Sequence, residues 1–256
     1  MRVPVSMSAM ELVVVSGASR GLGLAFTRQL LHRTSATVIA ASRSGSSSAL
    51  EELMGEYPGR VKPFACDVTE QEQTRDLAAR VKQDHAGKKC DLLLNVAGLL
   101  HDKKGNGYMP ERSLSSIDAS EMSRVLSTNA IGPVLLTQAL APQFSRGAVV
   151  ANLSARVGSI SDNRLGGWWA YRMSKAALNM ATVNMALELR RKDVYAVALH
   201  PGTTDTGLSE PFQANVKPEK LFTPEYSASS MLDVLEKLTP EDTGSFFAYD
   251  GSRIEF

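Results

Sequence analysis

Tyr171 and Lys175 lie four residues apart in the stretch Tyr-Arg-Met-Ser-Lys, and on a helix that spacing puts both side chains on one face. A free phenol titrates near ~10, and a neighbouring ammonium lowers that value toward neutral pH. The pair can therefore serve as general acid or base toward a carbonyl or an alcohol. An ordinary surface pair has the same spacing, so the chemistry depends on what stands nearby. Ser154 ends the apolar run Ala148–Leu153. A hydroxyl there is placed either to hydrogen-bond a substrate oxygen as charge develops on it or simply to cap a turn. Asn129 precedes Pro133 by four residues, with Gly132 between them. Proline has no N–H, so the Asn129 carbonyl loses its helical partner. This predicts a kink that is either purely structural or leaves the carbonyl free for a water or a side chain.

A second constellation belongs to a nucleotide. Ser16-Gly17-Ala18-Ser19-Arg20-Gly21-Leu22-Gly23 follows the apolar run Leu12–Ser16 and opens an amphipathic helical pattern reaching about His32. Glycines let backbone N–H groups approach a pyrophosphate, and the helix N-terminus behind them favours negative charge. A tight structural turn has the same composition, but the position between a first strand and a first helix favours the cradle. Where a second strand ends, an NAD site would carry an acid for the ribose 2′-hydroxyl. Here the chain reads Ala41-Ser42-Arg43-Ser44, with no acid between 36 and 50. Arg43 and Arg20 can neutralise a 2′-phosphate instead, unless both are merely solvated. The absent acid points to NADP(H).

The elements that must position these residues alternate. Strands are expected at Leu12–Ser16, Ala36–Ala41, Val61–Ala65, Asp91–Asn95, Ala148–Leu153, Val194–Leu199 and Ser245–Tyr249. Helical patterns run at about 70–85, 118–143, 168–191 and 224–238. Strands joined by helix-length connections imply right-handed βαβ units and a parallel sheet covered on both faces. The fold class is thus α/β, a doubly wound Rossmann domain with a mainly parallel seven-stranded sheet. One domain over 11–256 follows a flexible extension, 1–10. Two long irregular stretches, 99–117 and 202–223, follow strands, where ligands bind in open α/β sheets.

With 256 residues, 43% hydrophobic, 21% charged and a net charge of +1, the chain lacks the basic excess of a nucleic-acid binder. No apolar run approaches a membrane span. Cys66 and Cys90 have no partner at metal-ligand spacing and read as reduced thiols. A cytoplasmic protein is expected; an organelle precursor that has lost its leader would read the same way.

Taken together, Ser-Gly-x-x-x-Gly-x-Gly at 16–23, Asp67-Val68, Asn95-Val96-Ala97-Gly98, Asn129, Ser154, Tyr171-x-x-x-Lys175 and Pro201-Gly202-x-x-x-Thr206 resemble the short-chain dehydrogenase/reductase family. The likeness covers the chain from about residue 11. Within the family, LSARVGSI, GGWWAYRMSKAALN, HPGTTDTGLSEPF and FFAYDGSRIEF resemble the C-factor-like and sniffer-like carbonyl reductases. The resemblance implies that Tyr171 protonates the carbonyl oxygen, Lys175 holds the nicotinamide ribose and depresses the Tyr171 pKa, and Ser154 orients the substrate. Asn129 would hold a water of the proton relay through its carbonyl. It further implies that Asp67 and Val68 flank the adenine, Asn95 to Gly98 pass its ribose, and Thr204 and Thr206 face the carboxamide and phosphates. Hydride would pass between nicotinamide and substrate without a metal. Val96 replaces the usual second Asn, Ser16 the commoner Thr, and the interval from Ser154 to Tyr171 is longer than usual through Ser161–Gly167. The last departure leaves the substrate open.

Trp168, Trp169, Leu99, Leu100, Tyr108, Leu208 and Phe212 suggest a partly apolar pocket for a small carbonyl or alcohol, although each is also an ordinary core residue type. His101 and His200 lack triad partners and read as structural. Along 168–191, Met173, Ala177, Met180 and Leu187 form one apolar stripe and Leu178, Ala181, Met185 and Leu189 a second. The second stripe is either core or the interface of a homodimer or homotetramer. Two other functions compete: an NADP(H)-responsive regulatory protein with vestigial turnover, and a lyase or epimerase on the same scaffold. The complete acid–base set argues against the first, the glycine cradle against the second.

Overall fold

A computed structural model describes residue 4, residues 6–85 and residues 87–256. Its seven main strands are β1 (Leu12–Ser16), β2 (Thr37–Ser42), β3 (Val61–Ala65), β4 (Cys90–Asn95), β5 (Phe144–Leu153), β6 (Tyr195–His200) and β7 (Phe246–Ala248). They pair in the order β3-β2-β1-β4-β5-β6-β7, parallel throughout. The order reverses between β1 and β4, and there the carboxyl ends of two neighbouring strands open a crevice.

Alternation along the strands divides the core. Val13, Val15, Val38, Ala40, Leu92 and Leu94 face one layer, built with α1 (Gly21–Arg33), α2 (Ser48–Glu56) and α7 (Pro224–Glu236). Leu12, Val14, Ile39, Leu93, Val150 and Ala196 face the other, built with α3 (Gln71–Asp84), α5 (Gly132–Leu140) and α6 (Trp169–Leu189). Central strands buried on both faces explain why they read as unbroken apolar runs.

Three departures from the sequence reading matter. First, the extension expected over 1–10 is not loose at its end. Met7–Ala9 is a short 3₁₀ turn, and Met7 and Met10 are each 3% exposed in the first core layer, because two methionines gain more by filling that layer than by solvation. Residues 1–3 and 5 of that extension lie outside the described residues. Second, α2 was not anticipated; Ser47 caps it by accepting from the Leu50 N–H, and Leu50 and Leu53 bury one face. Third, the helix expected over 118–143 is α4 (Ala119–Leu126), a π-helical segment Ser127–Ile131, α5 and a final 3₁₀ turn. The distortion expected from Pro133 thus takes the form of an extra residue per turn just before the proline. Inside the stretch 202–223, Thr203–Thr204 and Leu221–Phe222 pair in parallel and pin its ends together. Among the described residues, no helix is long and apolar enough to cross a membrane.

Candidate active site

The crevice between β1 and β4 is shaped by glycines that nothing else can replace. Gly17 has φ +70°, and a Cβ there would fall 2.9 Å from the Ala97 backbone. At Gly23 a Cβ would lie 2.1 Å from the Gly17 carbonyl oxygen, so α1 packs against the turn only without a side chain. Ser16 fastens the other wall: its Oγ accepts from the N–H groups of Val96 (3.0 Å) and Ala97 (3.3 Å). Val96 packs on the first core layer, which is how it replaces a polar residue at no cost to the turn. Helix α1 begins at Gly21 with no side-chain cap, leaving its first N–H groups directed at the crevice. Thr206 arrives from the far stretch, its methyl 3.4 Å from where a Gly21 Cβ would be. Arg20 and Arg43 are exposed at the rim, and among the described residues neither makes an ion pair.

Beyond β5, the candidate catalytic side chains gather around α6. Tyr171 and Lys175 are buried, 7% and 4% exposed, with the Lys175 Nζ 5.6 Å from the Tyr171 ring centroid. Lys175 donates to the Leu153 carbonyl at 2.7 Å, which ties the helix to the end of β5. Ser154, the next residue, donates through Oγ to Asn179 Oδ1 at 2.6 Å. The Asn179 amide in turn donates to the Gly158 carbonyl at 3.3 Å. Burial pushes the Tyr171 phenol above its ordinary value and the Lys175 ammonium down to about 7. The sequence reading expected the ammonium to lower the phenol. Desolvation disfavours both charged forms here and overrides that attraction.

Asn129 sits fully buried in the π segment. Its Oδ1 accepts from the Leu99 N–H (2.7 Å), and its Nδ2 donates to the Leu99 carbonyl (2.8 Å) and to Ser174 Oγ (2.9 Å). Ser174 Oγ donates to the Tyr171 carbonyl at 2.7 Å. One amide thus braces the chain after β4 against the turn that carries Tyr171.

A model of the short chain dehydrogenases matches residues 11–217. The chain belongs to the short-chain dehydrogenase/reductase family. As a member it is an oxidoreductase. It is 33% identical over 247 residues to 1-hydroxy-2-glutathionyl-2-methyl-3-butene dehydrogenase of Rhodococcus sp. (strain AD45), covering 96% of this chain and all of that one. The C-signal of Myxococcus xanthus is 39% identical over 166 residues, 64% of this chain and 91% of that protein. Among solved structures, carbonyl reductase from chicken fatty liver with bound NADPH superposes with a TM-score of 0.85 at 30% identity, covering 96% of this chain and 99% of that one.

In this short-chain dehydrogenase several expected residues fall differently from the sequence reading. Thr204 is 4% exposed, and its hydroxyl turns inward to the Pro201 carbonyl (3.4 Å) and Ser227 Oγ (3.3 Å), leaving Thr206 as the side chain over the cradle. Asn95 also turns inward, its amide donating to Thr137 (3.3 Å) and Asn152 (2.8 Å), so only its backbone faces the crevice. Asp67 accepts from the Thr69 N–H and hydroxyl, Val68 is buried against Gly132, and Gly98 lies under Leu208. Ser19, Leu22 and Ala97 are half-buried, with Leu22 packed on the first core layer and Ala97 on the second.

Of the proposed pocket residues, Leu100 and Tyr108 are core side chains, and Trp169 is 37% exposed on the outer surface. Trp168 and Phe212 do meet, ring centroids 4.8 Å apart, with Tyr171 6.2 Å from Trp168 and His101 5.9 Å from Phe212. His101 Nε2 donates to the Gly207 carbonyl at 2.9 Å and joins the two irregular stretches. Asn179 was missed, although its i+8 spacing from Tyr171 on α6 was a signal. Glu111, whose signal was only one acid in a polar stretch, was missed as well. Cavities of about 360 and 730 Å³ lie beside α7 and between α3 and the end of α5, away from these residues.

Proposed function

We propose that this enzyme transfers a hydride between NADP(H) and a small, partly apolar carbonyl or alcohol. The observation that carries the reading is the buried set Tyr171, Lys175, Ser154 and Asn179 beyond the carboxyl end of β5, two strands from a cradle that a single Cβ would fill. Gly17, Ser19, Gly21, Leu22 and Gly23 would hold the pyrophosphate, Arg20 and Arg43 the 2′-phosphate, and Asp67, Val68 and the backbone of Asn95 to Gly98 the adenosine. When bound, the nicotinamide supplies or takes up the hydride. The chain's own residues do the rest. In reduction the substrate carbon gains the hydride, and the Tyr171 hydroxyl gives its proton to the carbonyl oxygen. A phenol raised by burial stays protonated across the working range and suits that direction. Lys175 holds the ribose, Ser154 bonds the substrate oxygen, and the Asn129 carbonyl, which Pro133 has no N–H to meet, holds the relay water. NADPH in the chicken relative and two arginines that make no ion pair among the described residues support the phosphorylated cofactor.

A panel of aldehydes, ketones and quinones, run with NADPH and NADH, tests this. Oxidation of NADPH with a lower KM than NADH is expected; a preference for NADH would overturn the cofactor. Tight NADPH binding without turnover on any substrate would transfer the reading to a regulatory NADP(H)-binding protein.

We further propose that residues 11–256 act as one cofactor-binding domain in the cytoplasm, where buried thiols such as Cys66 and Cys90 stay reduced. The association is a homodimer through α5 and α6. The stripe Met173, Met180 and Leu187 is exposed (45%, 63% and 67%) and continues through Ile131 and Val134, whereas Leu178, Met185 and Leu189 are core. The sequence reading leaves that second stripe as either core or interface. Light scattering that finds only a monomer at micromolar concentration would refute the dimer.

A further inference from the structure

Helix α6, which carries Tyr171 and Lys175, begins in an unusual way. A helix N-terminus is ordinarily satisfied by a Ser, Thr, Asp or Asn in extended conformation. Here the capping position is Trp168, in the left-handed region at φ 50° and ψ 46°, with no side-chain cap bond. A bulky residue at positive φ is an outlier that surrounding contacts must enforce. Arg172 holds the carbonyls of Gly166 and Gly167 just before Trp168, and the bonds to the N–H groups of Trp168 and Ala170 come from one residue far back in the chain. The Glu111 carbonyl accepts from the Trp168 N–H at 2.5 Å, and Glu111 Oε2 accepts from the Ala170 N–H at 3.1 Å. The other carboxylate oxygen accepts from the Tyr108 hydroxyl at 3.1 Å. Glu111 is only 4% exposed, and among the described residues it has no cationic partner within ion-pair distance. A buried carboxylate without a counter-ion is costly. The positive end of α6 and two donated hydrogen bonds are what offset that cost.

We propose that Glu111 is a positioning residue for the reaction, clamping the stretch 99–117 to the first turn of α6. It does not touch the substrate. By holding Trp168 and Ala170 it fixes the backbone one residue before Tyr171, and with it the angle at which the phenol is presented. The same clamp sets the Trp168 ring against Phe212, and so the apolar wall beside the phenol. Loop, wall and proton donor thereby move as one body. This rests on the reading of Tyr171 as proton donor, and its test has one arm that does not.

Full-length wild type, Glu111→Gln and Glu111→Ala are compared. Gln keeps an acceptor for Ala170, and its amide donates to the Tyr108 oxygen, so the clamp survives without the charge; Ala removes it. In E111A, kcat is expected to fall about 10- to 100-fold, as a displaced reacting group does. KM for NADPH stays unchanged, because the cradle lies elsewhere. E111Q recovers most of the loss. Trp168 and Trp169 are the only tryptophans in the chain, so their emission reports the clamp directly. A red shift is expected in E111A and none in E111Q. Unchanged kcat and emission in folded E111A would overturn the proposal even if Tm drops, as would E111Q behaving like E111A. If wild type turns over no substrate, the reductase reading falls, while the emission arm still decides the role of Glu111. Should E111A fail to fold, Glu111→Asp takes its place, keeping the charge but shortening the reach to Ala170.

Discussion

At the residue scale, burial governs the chemistry more than charge pairing does. Tyr171 and Lys175 are each driven toward the neutral form, and the Lys175 ammonium donates to the Leu153 carbonyl while lying over the phenol ring. Tyr171→Phe should remove the proposed proton donor while leaving packing intact. Turnover is expected to fall by about 10²–10⁴, the usual worth of a general acid, with NADPH affinity by fluorescence titration unchanged. Asn179→Leu takes away the acceptor that aims the Ser154 hydroxyl. It is expected to lower kcat about tenfold, and comparing it with Ser154→Ala and the double variant gives the coupling. Lys175 titrates at about 7 in the folded protein, against 10.5 as its ordinary value. Between those values the unfolded chain holds a proton that the folded one does not. Stability from this group is therefore full only above 10.5 and is lost as pH falls through 7. Lys175→Met should raise Tm most at pH 6–7, by about 5 °C, and the gain should shrink toward pH 10. Calorimetry across that range checks both the sign and the window.

At the element scale, the π segment before α5 is the device that places Asn129. Pro133→Ala restores an N–H where the Asn129 carbonyl lacks one, so the segment can regularise into α-helix. Tm is expected to hold or rise while kcat falls about tenfold, because Asn129 would turn away from Leu99 and Ser174. Much of this architecture was legible in the chain. β1, β4 and β5 are continuous apolar runs because both faces are covered, and the cradle announces itself through glycines that sterics require. What stayed hidden depended on long-range partners. Met7 and Met10 look like the end of a loose tail until the first core layer needs filling. Thr204 and Thr206 are alike in type and neighbourhood, and only the fold turns one toward Ser227 and the other over Gly21. α2 is a short helix whose amphipathic signal is confined to Leu50 and Leu53. Glu111 caps a helix nearly sixty residues further on, a pairing no local pattern encodes.

At the scale of the whole molecule, acid is the condition to which the fold is least suited. His200, at the end of β6, is held down to about 4 by burial, with the nearby Arg156 acting in the same direction, and among the described residues its buried Nδ1 has no hydrogen-bond partner. Its ordinary value is 6.5, so the stability it contributes is complete above 6.5 and lost as pH falls toward 4. His200→Leu should flatten that part of the Tm-against-pH curve relative to wild type. The strand order also imposes a timetable. β1 to β4, which frame the nucleotide crevice, are all synthesised by Asn95, whereas the strand that covers the open side of β4 begins only at Phe144. During translation the cofactor half is thus assembled with a bare hydrogen-bonding edge while α6 does not yet exist. An edge of that kind recruits other chains. Yield in a cell should therefore track the speed of elongation through 96–153 and the supply of holdase chaperones, more than the stability of the finished enzyme.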